Sequence, residues 1–282
     1  MAISIVTDST ADIPSSLAET LGITVVPLTV FFGDKCYRDG VDLDNTSFYK
    51  KLQSSKDLPR TSQPSPAAFQ EAFTRLIEEG ATGILSIHLS AKLSGTYQSA
   101  CTARAALPEE MKKIPIEMVD SQSVSAGITL ALIKAAQEVK EGLSLEEIKA
   151  HLLDQFSRTR VFAILDTLEF LKRGGRIGAA RAFLGNMLSI KPIIVVKEGQ
   201  VLPVEQPRTR SKAYARVAQL IKEMGELEDI ALVESNEEVG EQFAEAMKKT
   251  SRGEIPRYKL GAVLGTHSGP GTVGVALVSA RK

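Results

Sequence analysis

The chain has 282 residues, and its 34 lysines and arginines balance 34 aspartates and glutamates, a formal net charge of zero with the three histidines neutral. That balance argues against a nucleic-acid binder, which needs a basic excess or stripe to neutralise phosphates. Hydrophobic residues at 43% and charged residues at 24% suit a folded globular chain rather than a disordered one, and the length suggests about two domains.

No apolar run reaches the roughly 18 residues of a membrane span. The longest candidate, residues 23–32, is too short and holds Pro27. The first eight residues carry no basic stretch and include Asp8, unlike a secretory signal. Cys36 and Cys101 form neither a disulfide framework nor a zinc spacing. A cytoplasmic location is the expectation.

Short apolar runs alternate with helical patterns, which predicts an α/β protein. Residues 3–6 read as a strand ending in a polar loop at residues 7–12. Pro14 opens a helix that Gly22 stops. Residues 23–32 read as one strand, with Pro27 marking an edge or bulge. Asn45 caps a short helix in which Phe48 and Leu52 share a face. Residues 54–66 read as a long loop, and Ser65-Pro66 then opens a helix striped by Phe69, Phe73, Leu76 and Ile77. A buried strand at 83–89, a helix at 96–107, a strand at 114–119 and a helix at 126–141 follow. Ser144 and Glu147 form a capping box for the next helix. The second half begins with a strand at 161–165 and a helix at 166–172, interrupted by Arg173-Gly174-Gly175-Arg176. Strands at 190–196 and 201–205 flank a four-residue turn. Helices near 211–225 and 237–250 bracket a strand at 229–233, and strands at 258–263 and 272–279 flank a glycine-rich loop at 265–271. The expected domains are residues 1–158, with a mostly parallel sheet flanked by helices, and residues 159–282, with a mixed sheet and helices.

Gly269-Pro270-Gly271-Thr272-Val273-Gly274 matches a dinucleotide fingerprint literally, but a strand follows it where a helix is required. No P-loop, zinc motif or Gly-x-Ser-x-Gly elbow occurs. His151 reads as a surface residue and His88 as core. His267 reads as an exposed loop histidine that can approach a ligand closely. Hydroxyl residues gather in four loops: at residues 8–10, 61–65, 94–99 and 266–268. Two of them precede helices, whose N-termini favour an anion such as a carboxylate or phosphate. N-capping alone explains either loop by itself; the two together suggest an anion pocket.

Several segments in fixed order carry a resemblance. They are Thr7-Asp8-Ser9-Thr10-Ala11-Asp12, Thr61-Ser62-Gln63-Pro64-Ser65-Pro66, Leu93-Ser94-Gly95-Thr96-Tyr97-Gln98-Ser99-Ala100, Leu168-Glu169-Phe170-Leu171-Lys172-Arg173-Gly174-Gly175-Arg176-Ile177, Lys191-Pro192-Ile193 and Gly265-Thr266-His267-Ser268-Gly269-Pro270-Gly271. The whole chain resembles the DegV family of bacterial fatty-acid-binding proteins, FakB type. The resemblance implies two α/β domains, an acyl chain in a hydrophobic tunnel and its carboxylate near the inter-domain cleft. It implies no cofactor and no metal, and a long-chain fatty acid of the palmitate, stearate or oleate class as ligand. The protein itself would not be an enzyme. It would present the carboxylate to a fatty acid kinase, which makes an acyl phosphate for phospholipid synthesis, and transient membrane contact is compatible with that role.

Carried over by motif, Thr61, Ser94 and Gly95 hold the carboxylate, Ser62 and Thr96 assist, and His267 completes the head-group site. Either Arg208 or Arg210 supplies a head-group arginine, with Arg208 favoured. Arg173 is the candidate for docking the kinase. Asp8 and Ser9 are structural or line the cleft. Two other functions stay open: a lipid-sensing regulator, and a stand-alone hydrolase or acyltransferase using Ser94 or Ser268 with His267.

Overall fold

The computed structural model of the chain describes residues 2–55, 58–186, 190–250 and 253–281. The first half runs β1 (Ile3–Asp8), α1 (Ser15–Leu21), β2 (Ile23–Val26), β3 (Thr29–Phe32), β4 (Lys35–Arg38), α2 (Asn45–Ser54), β5 (Arg60–Ser62), α3 (Pro66–Glu78), β6 (Gly83–His88), α4 (Thr96–Ala105), β7 (Ile116–Asp120), α5 (Ala126–Glu141) and α6 (Leu145–Arg158). The second runs β8 (Thr159–Ile164), α7 (Glu169–Arg173), β9 (Ile193–Lys197), β10 (Gln200–Glu205), α8 (Arg210–Glu223), β11 (Leu227–Glu234), α9 (Glu237–Met247), β12 (Arg257–Lys259), α10 (Ala262–Ser268) and β13 (Val273–Ser279).

Three sheets form. One is parallel, in the order β2-β1-β6-β7. Every residue of β6 is buried, as expected of a central parallel strand covered on both faces. The second sheet is mixed, in the order β10-β9-β8-β13-β11-β12. The third is a small antiparallel sheet, β4-β3-β5.

Local chemistry accounts for the helices. Ser65 accepts from the Ala68 N–H at 3.2 Å and Pro66 occupies the first turn of α3, whose Phe69, Phe73 and Leu76 are buried. The Ser144–Glu147 capping box starts α6. Helix α5 joins the two larger sheets. Its Ile128 and Leu132 pack into the core of the parallel sheet. Its Ala126 and Leu130 pack with Val161, Ala231 and Ala276 of the mixed sheet. The opposite face of that sheet is closed by Val217 and Ile221 of α8 and Phe243 of α9.

Several boundaries differ from the sequence reading. Residues 23–32 are two strands in different sheets. Pro27 cannot donate a ladder hydrogen bond, and the chain leaves the parallel sheet there, with the Leu28 N–H donating to Ser9 Oγ at 3.1 Å. The stretch read as a loop at 54–66 contains β5, which pairs with β3; its residues 56 and 57 lie outside the described residues. Asp44, not Asn45, caps α2, accepting from the Ser47 N–H at 2.9 Å. The hairpin turn is two residues, Glu198 and Gly199, at φ 52° and 77°, the left-handed pair of a type I′ turn.

The largest correction concerns residues 258–271. Only Arg257–Lys259 is a strand, and Ala262–Ser268 is helix α10. His267 is therefore a half-buried helical residue and not an exposed loop residue. Two distant carboxylates start the helix: the Gly261 N–H donates to Asp12 at 2.9 Å and the Ala262 N–H to Asp39 at 3.1 Å. A Cβ at Gly265 would come within 2.6 Å of both Phe48 and Tyr49. The glycine lets α10 lie flush on α2. Caps from the other half of the chain and this close approach outweigh the helix-breaking composition.

Candidate functional site

A cavity of about 410 Å³ lies between the two larger sheets. Most of its wall is aliphatic, with Leu89, Val161, Ala163, Val196, Val233 and Leu260 among the lining residues. Polar side chains gather around His267: Thr61, Ser62, Gln63, Ser94, Arg176 and Ser268 all line the cavity.

The imidazole is held on one side by a hydrogen bond and packed on the other against Gly174. Its Nε2 lies 2.9 Å from Thr61 Oγ1 on β5. Its Nδ1 is buried and has no hydrogen-bond partner, and neither has Ser268 Oγ. Gly174 leaves the space for the ring, because a Cβ there would fall 2.2 Å from Nδ1. Burial, and secondarily the Arg176 guanidinium, push the His267 pKa down to about 4. The ring is neutral at pH 7, with one donor and one acceptor nitrogen.

Ser94 and Thr96 bond through their hydroxyls at 2.9 Å. Thr96 is wholly buried and reaches the site through Ser94. Gly95 begins α4 without any side-chain cap, so N–H groups of that helix end can face an anion. A Cβ on Gly95 would strike Gln63 Oε1 at 2.3 Å, which explains the glycine. Gln63 itself donates to Ser99 Oγ at 3.0 Å.

Of the residues picked out by sequence, Thr61, Ser62, Ser94 and His267 line one cavity, and Gly95 and Thr96 stand directly behind them. The arginines fall elsewhere. Arg173 ends α7, exposed, with its Nε 2.5 Å from Glu169. Arg208 is exposed and makes no hydrogen bond or ion pair among the described residues. Arg210 donates to the Gly271 carbonyl at 2.9 Å and to Asp166 at 2.6 Å, bracing the turn between α10 and β13. The cation that lines the cavity is Arg176, which sequence reasoning passed over in favour of Arg173. Its Nε donates to the Leu93 carbonyl at 3.2 Å and its Nη1 to the Gly174 carbonyl at 2.7 Å. It pairs with no carboxylate among the described residues.

A second constellation has the connectivity of a hydrolase. His88 contacts Ser86 Oγ at 2.7 Å and Asp8 Oδ2 at 3.0 Å. All three side chains are fully buried and none lines the cavity. Asp8 also accepts from the Leu89 N–H at 3.1 Å and the Thr10 N–H at 3.1 Å. The group ties β1 to β6. Ser9, through its bond to Leu28, fixes the departure of the chain after Pro27. Among the described residues no helix is long and apolar enough to cross a membrane, and no group of three or more His, Cys, Asp or Glu could hold a metal ion.

An α/β protein with an aliphatic cavity, polar at one place around a neutral histidine and one arginine, belongs to the class that holds amphipathic small molecules. Comparison with known proteins agrees. The family described as "Uncharacterised protein, DegV family" matches residues 2–280, and the chain belongs to that family. A DegV domain-containing protein of Halalkalibacterium halodurans is 38% identical, over 97% of each chain. The solved structure of a fatty-acid-binding DegV family protein from Thermus thermophilus superposes with a TM-score of 0.89 at 36% identity, covering 99% of this chain and 100% of that one. A stearic-acid-binding protein from Eubacterium ventriosum gives a TM-score of 0.90 at 27% identity over 98% of both chains.

Proposed function

We propose that the protein is a cytoplasmic fatty-acid carrier that presents the carboxylate of its cargo to a kinase partner. The observation that carries this is the aliphatic cavity that turns polar only around His267. Burying about 15 methylenes contributes roughly 12 kcal/mol gross, at about 0.8 kcal/mol each. A carrier must match that apolar burial to take a fatty acid from a membrane. The carboxylate needs hydrogen-bond donors, because burying it bare is costly. Thr61, Ser62, Ser94, Gly95 and His267 supply them, Thr96 acts through Ser94, and Arg176 is the nearby charge. The fatty-acid ligands of the Thermus and Eubacterium proteins support the same assignment.

Catalysis by this chain alone is disfavoured by the site itself. Ser268 Oγ contacts no base, and no carboxylate orients His267 among the described residues. Phosphoryl transfer is therefore assigned to a partner, with exposed Arg173 and Arg208 offered as its contacts and Arg210 positioning the head-group turn.

Mass spectrometry of the denatured protein, purified from bacteria, should release a long-chain fatty acid in near-stoichiometric amount. Protein that is consistently empty and takes up no labelled palmitate or oleate would overturn the carrier assignment. In a coupled assay with a fatty acid kinase, Arg173→Ala should retain its lipid and lose phosphorylation. Loss of lipid instead would remove Arg173 from the partner surface.

A further inference from the structure

The floor of the cavity has a pattern of its own. Strand pairing places Ile194, Ala163, Gly274 and Val233 in one row across β9, β8, β13 and β11. All four line the cavity. The row has two bulky ends and two small central residues. Its walls stand on strands three spacings apart, about 14 Å. In the next row, Val196 and Val161 are followed by Ala276 and Ala231. In the first row a shallow trough therefore lies over the two central strands, β8 and β13; in the next row the small positions shift to β13 and β11, where the alanines pack with Ala126 and Leu130 of α5.

Gly274 has a packing reason to be small, since a Cβ there would lie 2.9 Å from the Phe162 carbonyl oxygen. Ala163 has none. Alanine is a weak strand former, yet it sits at the centre of a six-stranded sheet. It remains only partly buried while Phe162 and Ile164 beside it are buried. Its exposed surface is the surface it turns to the cavity.

We infer that the acyl chain crosses the sheet over Ala163, and that this residue sets the length and girth of chain the cavity accepts. The inference rests on the carrier assignment and extends it to selectivity. A larger side chain at 163 fills the trough between Ile194 and Val233 and denies room to the methylenes beyond it. The head-group residues are untouched, so the loss depends on chain length.

Affinities of hexadecanoate and octanoate, measured for wild type, Ala163→Leu and Thr61→Ala, test this. Ala163→Leu should weaken hexadecanoate tenfold or more relative to octanoate, which is what two methylenes are worth at about 0.8 kcal/mol each. Thr61→Ala should weaken both by the same factor. Ala163→Val, smaller and well suited to a strand, should show the same order with a smaller difference and guards against misfolding of the leucine variant. Melting curves verify that each variant is folded. Equal losses for the two acids, or none, in a folded Ala163 variant would overturn the inference and leave the carrier assignment standing. A wild type that binds neither acid overturns both.

Discussion

His267 is neutral at pH 7 because burial and the Arg176 charge hold its pKa at about 4. A carboxylate bound beside it opposes the Arg176 charge and raises that pKa. The bound state then takes up a proton more readily than the unbound state. By linkage, affinity rises as pH falls towards the raised pKa of the bound state. His267→Gln keeps a donor and cannot titrate. Fatty-acid binding at pH 5.5, 6.5 and 7.5 should strengthen towards acid in wild type more than in His267→Gln. Identical pH profiles would mean that the carboxylate does not sit against the ring. The glycine and hydroxyl setting marked His267 as functional in the sequence, but not its burial, which comes with Gly174 at the end of α7 and Thr61 on β5 packed against it. Arg176 was equally visible in Arg173-Gly174-Gly175-Arg176. Nothing local says which arginine reaches the cavity, because Gly175 at φ 70° redirects the chain between them.

The two glycines of that segment serve different ends at the level of the element. Gly174 has ordinary backbone angles, φ −72°, and is required by the imidazole above it. Gly175 has nothing within 4 Å of an added Cβ, only its positive φ. Gly174→Ala should displace His267, break its contact with Thr61, and cost about 1–3 kcal/mol in the manner of overpacking. Gly175→Ala should cost about 1–2 kcal/mol of backbone strain alone. Lipid affinity and melting temperature separate them: affinity falls in the first, while stability falls and affinity holds in the second. Equal affinities in both would detach Gly174 from the site. The same contrast explains how much of the fold was legible. Helices with a periodic stripe and a local cap, such as α3 and α6, were readable because their causes lie within a few residues. Helix α10 was not. Its caps are Asp12 and Asp39, more than 200 residues away in the chain. Strand β5 was missed for a similar reason, since only its pairing with β3 makes three polar residues a strand.

Across the whole molecule, α10 ties the two halves of the chain together and carries His267 on its last turn. The tie is made by two buried acids, neither of which has an ion pair among the described residues. Asp12 is pushed well above the usual carboxylate range, first by burial. Asp39 is raised to about 6, again chiefly by burial, and one of its oxygens has no partner. Its folded pKa exceeds the unfolded value of 3.8, so between those values the folded state binds the proton more tightly. Stability contributed by this group is present at low pH and is lost as pH rises through about 6. At pH 7.5 the ionised carboxylate costs on the order of 3 kcal/mol, taking 1.36 kcal/mol per pKa unit. Asp39→Asn retains an acceptor for the Ala262 N–H, 3.1 Å from Oδ1 in the native protein, and removes the charge. Chemical unfolding at pH 7.5 should find the variant more stable by up to about 2–3 kcal/mol, and the difference should shrink towards zero near pH 4. A variant less stable than wild type at pH 7.5 would show the opposite balance: the charge of Asp39 on the N–H groups of α10 would then outweigh its desolvation, and the halves would be held together by an ionic cap.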